Sequence, residues 1–204
     1  MPYSAGLLAT GALAILCGAL ITPSGEAAET LSVVEQNDGR WLLACVMYLI
    51  ASFALTLGLP SVYVLVRGWT PRFGLVAVAV FAIGTIATCG YAMLLVFYRA
   101  LVLTDALKGP VDDVTGDLGI AAFLVILLGA FYIGELMLAI ALYRVRSVPR
   151  WIPAVIVLHV LSLAVNMLVP AGWQNLSSIL LTAWLCGVAI AANDADQLRR
   201  PVLA

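Results

Sequence analysis

Six apolar stretches, each long enough to cross a bilayer, fill most of this chain, and arginine alternates between the segments that join them. That pattern fixes the solvent in which every other residue is read. A helix rises about 1.5 Å per residue and a bilayer's hydrocarbon core is roughly 30 Å thick, so about 20 apolar residues suffice. The stretches run over Tyr3–Thr22, Trp41–Val66, Phe73–Phe97, Leu118–Tyr143, Trp151–Val169 and Leu176–Asn193. Apolar residues make up 64% of the chain and charged residues 10%, where a soluble domain carries about 25% charge. Strands of a membrane barrel would alternate polar and apolar residues, and nothing here alternates. The predicted fold is therefore all-α: a polytopic transmembrane helix bundle of six spans, a single domain over residues 1–204.

Orientation follows from Lys and Arg in the short joining segments. Arg67, Arg72, Arg144, Arg146, Arg150, Arg199 and Arg200 fall on one side, and Arg40, Arg99 and Lys108 on the other, seven against three. Acidic residues do the reverse: Glu26, Glu29, Glu35, Asp38, Asp105, Asp112, Asp113 and Asp117 lie on the Lys/Arg-poor side. Both termini are thus expected to be cytoplasmic, in a multi-pass protein of the cell membrane. Trp41, Trp69, Trp151 and Trp173 all fall at expected water–lipid boundaries, where indole is favoured. A secretory signal would open with basic residues. The chain opens Met1-Pro-Tyr-Ser4 instead, so the first stretch is expected to be a retained helix, although Ala27 and Ala28 resemble a cleavage site.

In that first stretch Gly6, Thr10, Ala14, Gly18 and Thr22 recur at every fourth residue and share one ridge. Small residues at this spacing let two backbones approach closely. The ridge suits packing against the chain's own helices, or a seam for a second copy or a partner membrane protein. Ala183, Gly187 and Ala191 form a weaker seam of the same kind. Two arginine-side turns echo one another, Leu65–Phe73 and Leu142–Trp151, each ending in Pro-Arg-aromatic as a helix begins. Pro71 and Pro149 start a helix without wasting an N–H. Duplicated hairpins and chance recurrence of a good membrane turn account for the echo equally well.

The second of these turns, Ala141-Leu-Tyr-Arg-Val-Arg-Ser-Val-Pro-Arg-Trp-Ile152 followed by an apolar span, resembles the signature turn of an uncharacterised bacterial six-helix integral membrane family. That family is catalogued as a domain of unknown function. The long second span ending near Tyr63-Val-Leu-Val-Arg67 is similar too, and the likeness extends over nearly the whole chain. It implies six helices and offers no catalytic or ligand residues to carry over. The chain departs from it in lacking a basic N-terminus.

Chemistry is then sought among the few polar groups inside the spans, where an ionisable side chain is costly. Glu135 is the only carboxylate within a span and His159 the only histidine. Glu135 lies eight residues before Tyr143 and His159 eight after Trp151, which puts both roughly 12 Å from the same interface by helical rise. Tyr132 lies one turn before Glu135, and Ser162 and Asn166 share the face of His159. The candidate polar seam is Tyr132, Glu135, His159, Ser162 and Asn166. It is either a proton-responsive pair with its neighbours or helix glue around a neutral acid. Pro60 interrupts the second span and is expected to kink it; the proline is either structural or frees carbonyls near Thr56 to line a ligand cavity, with Tyr48, Ser52 and Thr56 along one ridge.

Other chemistry is excluded by composition. A single histidine and no Cys-x-x-Cys pair leave no ordinary metal site, so no metal and no cofactor is expected. Cys17, Cys45, Cys89 and Cys186 fall within spans and behave as small apolar residues, with a Cys17–Cys45 disulfide as the minor alternative. Asp112, Asp113 and Asp117 match no calcium loop. No basic patch suits nucleic acid, and the segments 23–40 and 98–117 are too short for a soluble catalytic domain. Three functions follow in order. The first is an accessory, regulatory or oligomeric membrane subunit acting through helix packing. The second is a small-solute or proton-coupled transporter using the Glu135/His159 seam. The third is an intramembrane enzyme acting on a lipid or quinone.

Overall fold

The computed structural model describes residues 2–23, 30–69, 71–106, 117–166 and 174–199, and every regular element among them is helical. In chain order these are α1 (Pro2–Ile21), α2 (Thr30–Gln36), α3 (Asp38–Val66), α4 (Pro71–Leu103), α5 (Leu118–Tyr143), α6 (Trp151–Asn166) and α7 (Gln174–Arg199). Five are long and apolar enough to cross a membrane: α1, α3, α4, α5 and the stretch Asn175–Ala195 of α7. The sixth, α6, has 16 described residues, about 24 Å of helix by its rise. Residues 167–169 of the expected fifth span lie outside the described residues. So do Trp173, Lys108, Asp112, Asp113, Glu26, Glu29, Ala27, Ala28 and Arg200.

These helices are apolar all round, which identifies their solvent. Leu8, Leu55, Phe81, Leu138 and Trp184 are fully buried, while Phe53, Phe97, Phe123, Val125 and Ile126 are exposed on the outside of the same helices. A soluble bundle confines apolar residues to a stripe. Aliphatic and aromatic side chains over the outer surface are those of a multi-pass membrane protein.

Each long helix packs against the long helices before and after it in the chain, and α7 returns to α1, so the six close into a ring. α1 and α3 run antiparallel, as Gly18 against Tyr48, Gly11 against Leu55 and Gly58 against Leu8 show, and so do α4 and α5, with Gly84 against Phe131 and Gly134 against Phe81. Without a hydrophobic drive inside a membrane, close packing and interhelical hydrogen bonds hold such a ring. Ser52 Oγ donates to Thr85 O at 2.7 Å, Thr56 Oγ1 and Thr85 Oγ1 lie 3.0 Å apart, and Thr182 Oγ1 donates to Ala12 O at 3.1 Å. These bonds join α3 to α4 and α7 to α1.

Pro60 lies inside α3, where its missing N–H interrupts the ladder. The Ser4 hydroxyl of α1 binds the backbone beside that gap. It accepts from Ser61 N–H at 3.2 Å and donates to Gly58 O at 2.9 Å. The proline thus becomes a point of attachment between two helices.

Three helices outrun their apolar stretches, starting at Asp38 rather than Trp41 in α3 and ending at Leu103 and Arg199 rather than Phe97 and Asn193 in α4 and α7. Polar side chains at a span's end remain compatible with helix once they reach headgroups and water. Segment 23–40, expected as a joining loop, contains α2, whose Val34 is buried with Trp41, Cys45 and Val102.

The extended ends of α3 and α4 are tied by Arg99, whose Nε and Nη2 engage the two oxygens of Asp38, the second at 2.8 Å. The guanidinium holds the Asp38 carboxyl below its ordinary 3.8. A carboxyl with a depressed folded value contributes stability that is present above the unfolded value and lost as pH falls through the folded one. Below about pH 3.8 the melting temperature is therefore expected to drop, and Asp38→Asn to remove that drop. The neutral-pH change stays small because the pair is partly exposed to solvent. A pH series of thermal melts on both proteins decides; an unchanged acid limb in the variant rules the pair out as its cause.

Candidate functional site

α5 and α6 are joined by the short turn Arg144–Arg150, so they lie side by side and residues equidistant from the turn meet. Glu135 and His159 do meet. His159 Nδ1 lies 2.8 Å from Glu135 Oε2, with Glu135 fully buried and His159 exposed by only 2%. Tyr132, one turn back on α5, stacks its ring on the imidazole at 5.8 Å between centroids and 28° between planes. Ser162 is buried on α6 and donates to His159 O at 2.6 Å. Ser162 therefore bonds its own helix rather than the carboxyl. The Asn166 side chain lies outside the described residues.

The second carboxyl oxygen, Glu135 Oε1, is buried with no hydrogen-bond partner. Trp184 of α7 stands beside it, and its indole N–H is likewise buried and unpartnered. The packing of Phe81 against both Phe131 and Trp184, with centroids 5.1 and 5.6 Å apart, fixes that indole from the other side.

A cavity of about 870 Å³ rises from this pair toward the acidic end of the bundle. His159, Tyr132, Phe131 and Gly84 line its deep end, Tyr48, Tyr91, Ser177 and Ser178 its middle, and Asp117 its far end. Fifteen residues of α5 separate Tyr132 from Asp117, about 22 Å of helical rise. Its volume falls in the range of about 300–1,000 Å³ that suits a small organic ligand. Tyr48 and Tyr91 meet edge-on with centroids 5.9 Å apart, and Tyr48 Oη lies 3.3 Å from Thr22 Oγ1.

With Nδ1 committed to Glu135, Nε2 is the imidazole nitrogen left for whatever occupies the cavity. The chemistry is set by proton count. When the pair holds two protons, one is shared between Oε2 and Nδ1, Nε2–H donates, and the net charge is zero. When it holds one, Nε2 is an acceptor. The same atom thus serves a hydrogen-bond acceptor or a donor without moving.

The small-residue ridge of α1 divides in the structure. Ala14 and Gly18 are buried, and Gly18 and Thr22 face Tyr48 of α3; Gly6 and Thr10 are exposed. The tightest approach of α1 is at Gly11, off that ridge, where a Cβ would lie 2.7 Å from Leu55 Cγ. On α7, Gly187 is buried against Trp151 and Ile152, whereas Ala183 is exposed. Ser52 and Thr56 are committed to Thr85, leaving Tyr48 as the member of their ridge that reaches the cavity. The four cysteines are free. Among the described residues no three His, Cys, Asp or Glu side chains gather to hold a metal ion.

No protein-family model, no curated protein and no solved structure matches the chain.

Proposed function

We propose that the protein is a six-span protein of the cell membrane, both termini cytoplasmic, that binds and carries a small solute inside its helical ring. The arginine distribution supports the orientation, and the resemblance of the Ala141–Ile152 turn to a six-helix family supports the span count. One observation carries the function: His159, bonded to the buried Glu135 behind it, stands in the wall of a cavity of about 870 Å³ with Nε2 left over for an occupant. Helix glue alone needs no cavity beside it. An intramembrane carboxyl with a bonded histidine is a costly arrangement, of the kind that marks substrate or proton pathways. Exchange of one proton on this pair converts Nε2 from donor to acceptor, which is a means of coupling solute binding to protonation.

The helix-packing role is the second reading, and exposed Gly6 and Thr10 on α1 are where a second copy or a partner helix would seat. A native mass spectrum of the protein released from nanodiscs separates the two. The carrier reading expects a bound small molecule in the wild type that is lost in His159→Phe and depleted in Glu135→Gln. A ligand-free oligomer, or a co-purifying membrane protein with no small molecule, would overturn it in favour of packing.

A further inference from the structure

The walls of the cavity restrict what it can hold, and this inference rests on the solute-binding reading above. Among its described lining residues there is no Lys or Arg, so a fatty-acid carboxylate or a phosphate headgroup would be buried without a counter-charge. Its one described carboxylate, Asp117, sits at the far end and caps its own helix, with Oδ1 accepting from Gly119 N–H at 2.9 Å and Ile120 N–H at 3.1 Å. The deep carboxylate, Glu135, is screened behind His159 and does not line the space. A permanent cation therefore meets no carboxylate directly at the deep end either. What remains is a neutral molecule.

Its shape and polarity can be read from the walls. The cavity is about 22 Å long by helical rise, and its sides are Phe123, Leu124, Leu127 and Leu94, which suits an alkyl or prenyl tail. The deep end combines flat aromatic surfaces, Phe131 and Tyr132, with one nitrogen that switches between donor and acceptor. A planar ring carrying an oxygen fits that end. An oxidised quinone accepts a hydrogen bond from Nε2–H, and the reduced quinol donates one to bare Nε2. Few neutral headgroups change hydrogen-bonding sense in this way, and the Glu135–His159 pair is built to follow the change.

We propose that the cavity is a binding site for a tailed quinone, its ring against Tyr132 and Phe131 and one ring oxygen hydrogen-bonded to His159 Nε2. The tail lies along α5 toward Asp117.

The test uses the full-length protein in nanodiscs of synthetic phosphatidylcholine, titrated with decylubiquinone, tetraphenylphosphonium or decanoate and read by native mass spectrometry. Decylubiquinone is expected to bind saturably at one per chain. His159→Phe keeps the ring and loses the nitrogen, and is expected to weaken binding about tenfold, the scale of one hydrogen bond. Gly90→Phe leaves the pair untouched and fills the cavity, since a Cβ on Gly90 meets nothing within 4 Å. It is expected to abolish binding without lowering the melting temperature. Undiminished binding in Gly90→Phe overturns the cavity as the site, and undiminished binding in a folded His159→Phe overturns the headgroup contact. Saturable binding of the cation or the anion in place of decylubiquinone overturns the ligand class and leaves the carrier reading standing. No binding of any probe, with no endogenous ligand, overturns both.

Discussion

Replacing His159 by leucine is expected to cost about 3–5 kcal/mol of stability, and replacing Glu135 by leucine as well is expected to recover most of it. The asymmetry comes from where the two groups sit. Glu135 is fully buried, and His159 supplies the single hydrogen bond its carboxyl makes, since Oε1 already lacks a partner. Removing the imidazole leaves Oε2 without its hydrogen-bond donor in an apolar interior, a costly outcome for a polar group. Removing both partners leaves only packing to repair, and a leucine pair of similar volume does so cheaply. Thermal unfolding of the two single variants and the double variant, in one detergent, completes the cycle. A coupling of about 3 kcal/mol, the upper end of such pair terms, is the expected reading, with the double variant losing less than the two single variants together. If the two losses simply add, the pair makes no mutual contribution and its place at the cavity is incidental to stability.

Much of this arrangement was legible in the sequence, because helical rise is a ruler. Counting eight residues back from Tyr143 and eight forward from Trp151 put Glu135 and His159 at one depth, and the short Arg144–Arg150 turn made their helices neighbours. The apolar stretches likewise marked where the long helices run, failing at ends such as Asp38 and Leu103 and passing over the short α2, where polar residues sustain helix outside an apolar run. The gap that Pro60 leaves in the ladder was legible, but not that Ser4 binds the backbone beside it, because Ser4 is remote in sequence and has no local signature.

The extent of the cavity was not legible, although Tyr48 of the Pro60 ridge does line it. An empty volume is a property of how several helices fail to touch, and Tyr48, Tyr91, Tyr132 and His159 come from four of them. The ridge on α1 shows the same limit. Its four-residue spacing drew attention to Gly6, which meets nothing, and passed over Gly11, which sits one position away from the ridge and beneath Leu55. Spacing reports which residues share a face; it carries no information about which face a neighbour will choose.

The glycines that do carry the fold form reciprocal pairs, and substituting them is expected to have the second large effect. On α4 and α5 the sequences Phe81-Ala-Ile-Gly84 and Phe131-Tyr-Ile-Gly134 cross antiparallel, so that each glycine receives the other helix at its phenylalanine. A Cβ on Gly84 would lie 2.5 Å from Phe131 Cα, and one on Gly134 would lie 2.6 Å from Phe81 Cα and N. These are backbone atoms, and no side-chain rotation relieves the overlap. The device recurs on α1 and α3, where Leu8-Ala-Thr-Gly11 meets Leu55-Thr-Leu-Gly58 and a Cβ on Gly58 would lie 2.7 Å from Leu8 N. Alanine at any other exposed helical glycine gains up to about 1 kcal/mol in helix propensity. At Gly84 or Gly134 that gain is overwhelmed, and Gly84→Ala and Gly134→Ala are each expected to lose about 3 kcal/mol, the upper end of overpacking costs. Gly129→Ala, on the same helix as Gly134 but with nothing within 4 Å of its Cβ, is expected to be neutral or stabilising. Melting temperatures of the three variants against the wild type give opposite signs if the crossings are this close. Equal, small shifts in all three would mean that α4 and α5 stand further apart. The floor of the cavity, which Gly84, Phe131 and Tyr132 build from these two helices, would then lose the contact that holds it in place.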